Sequence, residues 1–183
     1  FKGAKRELTA DDYVYSWKRV LDPKTRSPNL QQFDGKFAGA DAIVAKAKQT
    51  GKFDYDAPLE GLSAPDRYTI RIKLTGPSYD LLSNLTDVPS MAVAREVIET
   101  YGDGSGWAMA NPVGTGPYRI KDWRRGQKIV LEANPGFREV LYPESQDPAD
   151  RAVMARLKGR KIPLIGRVEI NIIEESNPRL LAF

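Results

Sequence analysis

The most regular pattern of apolar and polar positions lies near the start of the chain. Apolar residues occupy positions 10, 13, 14, 17, 20 and 21, with spacings of 3, 1, 3, 3 and 1. These spacings place them on one face of an α-helix. Thr9 can cap the first turn, and Asp12, three positions later, completes a pair that resembles a capping box. The pattern predicts a helix over residues 10–21 that ends before Pro23.

Weaker periodicity predicts further helices. Residues 40–50 carry apolar residues on one face, and Gly51 follows where a C-terminal cap is expected. Shorter helices are predicted over residues 79–85 and 92–101, and one or two helical turns over 151–158.

Strict alternation predicts the strands. Residues 68–74 alternate between apolar and polar and form the clearest half-buried strand, which a turn at 64–67 joins to a short strand at 59–62. Residues 24–38 show no clear periodicity and are interpreted as an ordered loop or short turns. The remaining predictions are a hairpin of strands 118–123 and 128–133, a loop at 134–150, and a last strand marked by Val168, Ile170 and Ile172.

A glycine-rich stretch, PVGTGPY at residues 112–118, precedes the predicted hairpin. Its glycines permit backbone angles that other residues avoid, so we expect a controlled entrance to the strand. A dinucleotide-binding loop requires a third glycine where this chain has Arg119, and a helix rather than a strand must follow. The glycines at 102–106 and the Gly-Lys pairs at 35–36 and 51–52 also fail the nucleotide-binding patterns. The sequence therefore predicts no nucleotide cofactor.

Composition narrows the possible chemistry. The chain has 183 residues, 41% hydrophobic and 28% charged, with no cysteine and no histidine. These absences exclude disulfides, thiolate and imidazole zinc sites, and nucleophiles activated by histidine. No set of nucleophile, base and orienting residue is recognisable, so we expect no enzyme activity, no cofactor and no metal.

Several charged and aromatic groups have both a functional and a structural interpretation. The net charge is +4, and the basic residues at 158, 160, 161 and 167 are interpreted as a solvated face rather than a phosphate site. The acidic residues at 54, 56, 174 and 175 are interpreted as solvated too. The stripe of Tyr13, Trp17 and Val20 is predicted to pack in the core.

The chain shows no apolar run that approaches the roughly 20 residues needed to span a bilayer. It opens on Phe1 rather than methionine, and residues 178–183 read like the first turns of an interrupted helix. We therefore expect an internal segment of a longer protein.

Four stretches that occur in a fixed order carry a family resemblance. They are LTADDYVYSWKR at 8–19, GLSAPDRYT at 61–69, VGTGPY at 113–118 and VLEANP at 130–135. Together they resemble the extracellular solute-binding proteins of peptide-importing ABC transporters, the oligopeptide- and dipeptide-binding group. The family usually shows Asn-Pro-x-Tyr-Trp where this chain has NPGFR at 134–138, a departure that concerns a packing aromatic.

The resemblance implies an α/β fold (mixed α+β) of the two-lobed periplasmic-binding-protein type II class, of which this chain is a part. Residues 1–112 are expected to form the extra subdomain of the first lobe. Residues 113–183 are expected to form part of that α/β lobe, with the second lobe absent. Because a cleft needs both walls, the chain alone is expected to bind ligand poorly.

The resemblance also implies a function. The chain is expected to belong to a solute-binding component of an ABC importer that captures short peptides or similar solutes. Its partners are then the ligand and the permease of the inner membrane, and its location is periplasmic or extracellular, with a lipoprotein anchor left open. The alternative is a mildly basic module that binds nucleic acid or another anionic partner. The salt dependence of binding distinguishes these two functions, because nucleic-acid affinity falls steeply with ionic strength.

The resemblance points to two loops, 29–33 and 86–89, for this chain's share of the ligand site. In peptide-binding relatives an aromatic residue commonly follows the Ser-Pro pair and faces the ligand, whereas this chain has Asn29 there. Asp87 brings a carboxylate that can pair with a cationic group. The predicted ligand-binding residues are Asn29, Gln31, Gln32, Phe33 and Asp87.

Overall fold

A computed structural model of the chain describes residues 6–102, 108 and 111–174. The chain divides into two compact units, Phe1–Thr100 and Tyr101–Phe183. The assignment of residues 1–112 and 113–183 to different parts of a lobe stays a prediction. Across the described ranges, no helix has the length and apolar character needed to cross a membrane.

The first unit begins with helix α1, Ala10–Leu21, which confirms the prediction from periodicity. Thr9 and Asp12 form the capping box, and the acidic first turn and basic last turn both favour the helix dipole. Helix α2, Ala40–Thr50, is also confirmed, and Gly51 follows it in the left-handed conformation with φ 68°.

Two antiparallel strands follow, β1 at Leu62–Asp66 and β2 at Thr69–Ile72. The predicted strand at 59–62 and turn at 64–67 were therefore placed too early. The register shifts between Ser63 and Asp66, so Pro65 sits in an irregular part of the ladder. A proline is tolerated there because its missing N–H is not required for pairing.

The rest of the first unit consists of short helices. Helix α3 spans Leu81–Leu85 and helix α4 spans Arg95–Tyr101, so both begin later than predicted. The backbone N–H of Val93 donates to Ser16 Oγ at 2.8 Å, which holds residue 93 against α1 and outside α4. Three 3₁₀ turns lie at Pro23–Thr25, Leu30–Gln32 and Val88–Ser90.

The core of the first unit is built around aromatic side chains. Trp17 stacks on Phe33 and Phe37 with ring centroids 5.7 and 6.2 Å apart, which confirms Trp17 as a core residue. The other buried members of this cluster are Leu21, Ala40, Ala47, Phe53, Leu59 and Leu62. Helices α1 and α2, the two strands and the loop at 30–37 therefore share one apolar interior.

The second unit contains a three-stranded antiparallel sheet in the order β3-β4-β5. Its strands are β3 at Tyr118–Arg124, β4 at Lys128–Ala133 and β5 at Arg167–Asn171. The predicted hairpin and last strand are confirmed, with Val130 buried at the middle of β4. A 3₁₀ turn at Pro148–Asp150 leads into helix α5, Arg151–Leu157.

The glycine-rich entrance to β3 differs from the prediction. The φ angles of Gly114 and Gly116 lie outside the left-handed region, and neither glycine is crowded. Asn134 holds the entrance instead, because its Nδ2 donates to Gly116 O at 3.0 Å and its backbone N–H donates to Pro117 O at 2.8 Å. These two hydrogen bonds thus join the motifs at 113–118 and 130–135.

Candidate functional site

The first predicted loop, residues 29–33, folds into a 3₁₀ turn. The backbone N–H of Asn29 donates to Ser27 Oγ at 3.2 Å, and Asn29 O accepts from the N–H of Gln32 at 3.1 Å. These local bonds explain the absence of helical or strand periodicity, because short polar side chains compete with regular backbone pairing. Asn29 is half-buried and Gln31 is exposed.

The second predicted loop, residues 86–89, continues directly from α3. The N–H of Asp87 donates to Asn84 O at 3.2 Å, and Asp87 O accepts from the N–H of Ser90 at 3.0 Å. Ser90 Oγ donates to Asn84 O at 2.6 Å, which ties the end of the loop to the helix that precedes it. Asp87 is exposed and precedes a proline-containing turn, so its backbone is restrained while its carboxylate stays accessible.

The structure brings these two loops into contact. Gln32 Nε2 donates to Asp87 Oδ2 at 3.4 Å, although the two residues are 55 positions apart in sequence. Gln32 Oε1 is buried and accepts no hydrogen bond within the part of the chain that the structure describes. The exposed group of this pair is the carboxylate of Asp87, an acceptor that suits an N–H group or a cation.

Phe33 occupies a different position from the other predicted ligand residues. Its side chain has no exposed surface and stacks on Trp17 and Phe37. A fully buried ring cannot contact a ligand, so Phe33 acts here as the anchor of its loop. No sequence signal distinguishes the two roles, because an aromatic residue in an aperiodic segment suits a core and a binding surface equally.

Trp17 of α1 links both loops to the core. Its ring packs on Phe33 of the first loop, and its Nε1 donates to Ser90 O at 2.9 Å, next to the second loop. Periodicity predicted that Trp17 is buried, but it did not predict this hydrogen bond. The bond satisfies the indole N–H inside the core and fixes the distance between the loops.

Other charged candidates form ion pairs. Lys158 lies 3.3 Å from Glu144 and Lys161 lies 3.0 Å from Glu139, which agrees with a solvated basic face. Asp56 pairs with Arg95, with 3.1 Å between Oδ2 and Nη2. Glu175 lies outside the described residues. Within ranges 6–102 and 111–174, no group of three or more potential ligand side chains is arranged to hold a metal ion.

Comparison with known proteins identifies the family. The family model "Bacterial extracellular solute-binding proteins, family 5 Middle" matches residues 4–183. The periplasmic oligopeptide-binding protein OppA of Salmonella typhimurium is 33% identical over 132 residues, a match that covers 71% of this chain and 23% of that protein. The chain thus spans about a quarter of the length of this relative.

Solved structures agree with this result. The pheromone receptor PrgZ superposes with a TM-score of 0.68 at 21% identity, covering 96% of this chain and 30% of that one. The Haemophilus influenzae OppA complex with RPPGFSPFR gives 0.57 at 30% identity, covering 70% and 24%. The predicted fold class is confirmed, since the structural neighbours are type II periplasmic binding proteins and the chain forms part of that mixed α/β fold.

The four motifs that suggested the resemblance all lie within the matched range, and the match extends over nearly the whole sequence. The chain belongs to the bacterial extracellular solute-binding proteins of family 5.

Proposed function

We propose that this chain is part of a solute-binding component of an ABC importer that captures short peptides or similar solutes outside the cytoplasmic membrane. The component then delivers its ligand to the permease. Family membership supports the solute-binding role, and relatives are named as periplasmic oligopeptide-binding proteins. A periplasmic or extracellular location, with or without a lipid anchor, follows from the same proposal.

The contact between Gln32 and Asp87 carries the proposal for the site. It joins the two loops that the resemblance points to, and both loops are anchored on Trp17. Recognition groups are usually held on loops that a rigid scaffold positions. Asn29, Gln31, Gln32 and Asp87 are the proposed ligand contacts, and Phe33 is the anchor.

Asp87 is proposed to pair with a cationic group of the ligand. It is exposed, and among the described residues its one side-chain partner is a neutral amide at 3.4 Å, a long hydrogen bond. A ligand ammonium or guanidinium offers a stronger, charge-assisted bond than this amide. The carboxamides of Asn29 and Gln31 add donors and acceptors suited to a peptide backbone.

The test uses the longest natural protein that contains this sequence, because a cleft site needs all its walls. Thermal unfolding with a library of short peptides should show ligand-dependent rises in Tm, since a ligand that binds only the folded state stabilises it. Asn29→Ala and Asp87→Ala should weaken binding about tenfold each. The Tm without ligand should stay nearly unchanged, because both side chains lie on loops outside the buried core, where substitutions usually cost little stability.

Asp34→Ala provides the matched control, since Asp34 is an exposed carboxylate next to the first loop but outside it. This variant should bind like the natural protein. Unchanged ligand affinity in both loop variants would show that the ligand site lies elsewhere in the protein. No Tm shift with any peptide, combined with salt-sensitive binding of DNA, would refute the transport proposal itself.

A further inference from the structure

The first unit contains a cavity that shares no residue with the two loops. Its volume is about 570 Å³, and α1, α4 and the segment at 55–56 form its walls. Such a volume is enough for a small polar molecule. Eight charged side chains line it, five of them acidic and three basic, and they include Lys18, Arg95 and Glu99.

Lys18 is the most unusual of these residues. It is 5% exposed, and its ammonium donates to Tyr55 O at 2.9 Å and to Ala57 O at 2.7 Å. No carboxylate of the described residues lies within ion-pair distance, and the third N–H has no acceptor there. Burial lowers the pKa of this ammonium, partly offset by the charges of Asp56 and Asp54. A buried charge without a paired counter-ion favours binding of an anionic group.

Tyr15 supplies a second unused donor beside Lys18. It lies three residues earlier on α1, so both side chains project from the same face of the helix. Tyr15 is 8% exposed, and its hydroxyl makes no hydrogen bond to any residue that the structure describes. The guanidinium carbon of Arg95 lies 5.4 Å from the centre of its ring and holds the ring in place. Both Lys18 and Tyr15 line the cavity.

The cavity as a whole carries negative charge. Arg95 Nε donates to Glu99 Oε1 at 2.6 Å, and Arg6 Nη2 lies 2.6 Å from Asp12 Oδ1. Five carboxylates and three cations line the cavity, which gives a net negative charge. These carboxylates would oppose the binding of a simple anion. A zwitterion avoids the conflict, because its ammonium faces the carboxylates while its carboxylate reaches the two donors.

We propose that this cavity binds a small zwitterion with the chemistry of a free α-amino acid. Lys18 and Tyr15 receive the carboxylate, and Glu99 receives the ammonium. This site is separate from the proposed peptide site, so either can exist without the other.

Calorimetry with the longest natural protein that contains this sequence tests the proposal directly. The probes are glycine, L-alanine and L-leucine, each compared with its methyl ester and its N-acetyl derivative. At least one free amino acid should bind saturably, and both of its derivatives should bind at least tenfold more weakly. The ester removes the carboxylate charge, whereas the acetyl group removes the ammonium charge. Each derivative therefore tests the recognition of one charged end of the amino acid.

Tyr15→Phe should weaken amino-acid binding about five- to tenfold, the loss expected for one hydrogen bond to a charged group. Tyr13→Phe is the matched control, because it removes a hydroxyl from the same helix at a position that does not line the cavity. Glu99→Gln should weaken binding of the free amino acid but leave its N-acetyl derivative unaffected.

Three outcomes would overturn the proposal. They are no saturable binding of any amino acid, equal binding of the acid and its ester, and equal losses in Tyr15→Phe and Tyr13→Phe. Asn29→Ala and Asp87→Ala should leave this binding unchanged, which separates it from the peptide site.

Discussion

At the scale of single residues, Asp12 shows how one carboxylate links local and tertiary structure. Its Oδ2 accepts from the N–H of Thr9 at 2.8 Å, which closes the capping box, and both oxygens accept from Arg6 at 2.6 Å. Burial of this side chain would by itself raise its pKa. The hydrogen bonds from Arg6 and Thr9 outweigh burial, so the pKa lies below the ordinary 3.8.

A lowered carboxylate pKa predicts the direction of the pH dependence. The unfolded state binds the proton more readily, so the stabilisation by Asp12 is complete above the unfolded pKa near 3.8 and is lost as the pH falls through the lower folded pKa. Asp12→Asn should reduce the free energy of unfolding by about 1–2 kcal/mol near pH 7. This difference from the natural chain should shrink toward pH 2.

Urea unfolding followed by circular dichroism at a series of pH values measures the free energy of unfolding of the natural chain and of Asp12→Asn. Asp11→Asn is the control, because Asp11 is exposed on the first turn of α1 and is not part of the capping box. Its effect should stay within about 0.5 kcal/mol. A difference for Asp12→Asn that does not change with pH would show that the carboxylate charge plays no part.

At the scale of elements, the β3–β4 hairpin depends on one glycine. Gly126 lies in the turn with φ 68°, a left-handed conformation that costs other residues about 1–2 kcal/mol. Gly126→Ala should therefore lower the stability of the second unit by about 1 kcal/mol. Gly114→Ala should change it by less than about 0.5 kcal/mol, because Gly114 is neither left-handed nor crowded.

Native-state hydrogen exchange of the amides in β3 and β4 measures these two effects within one element. Equal losses in both variants would indicate that general chain flexibility, rather than the turn conformation, limits hairpin stability. A larger loss of stability in Gly114→Ala would show that the hairpin depends on the glycine-rich entrance to β3, as the sequence suggested.

At the scale of the whole molecule, the first unit carries its own core. All buried members of the aromatic cluster come from residues 17–62, and the partly buried side chains packed against it extend this range only to 13–85. A polypeptide of residues 1–100 should therefore fold alone, since a chain of this size buries enough surface for a stable domain.

Trp17 is the one tryptophan among residues 1–100 and reports on that core. The isolated polypeptide should show dispersed amide resonances, buried tryptophan fluorescence and a cooperative urea transition. Phe33→Ala should reduce its stability by about 3–5 kcal/mol, because a fully buried aromatic ring is removed. Spectra of an unfolded chain for the unsubstituted polypeptide would show that the first unit depends on the second.

The sequence alone determined the elements whose signals are local. The periodicity and cap of α1, the face and terminal glycine of α2, and the alternation of the β3–β4 hairpin each lie within 16 neighbouring residues or fewer, and the structure confirms them. The order of four motifs also determined the family, because shared descent preserves order as well as composition.

The way in which distant segments meet is visible in the folded chain alone. Gly61 lies so close to the backbone of residues 37–38 that a side chain would not fit, and this approach places β1 later than alternation predicted. The contact of Gln32 with Asp87, the burial of Phe33 and the cavity beside Lys18 likewise join segments that are far apart in sequence, up to the distance from Arg6 to Glu99. Hydrophobic periodicity reports which face of an element is buried, but it carries no information about which distant segment covers that face.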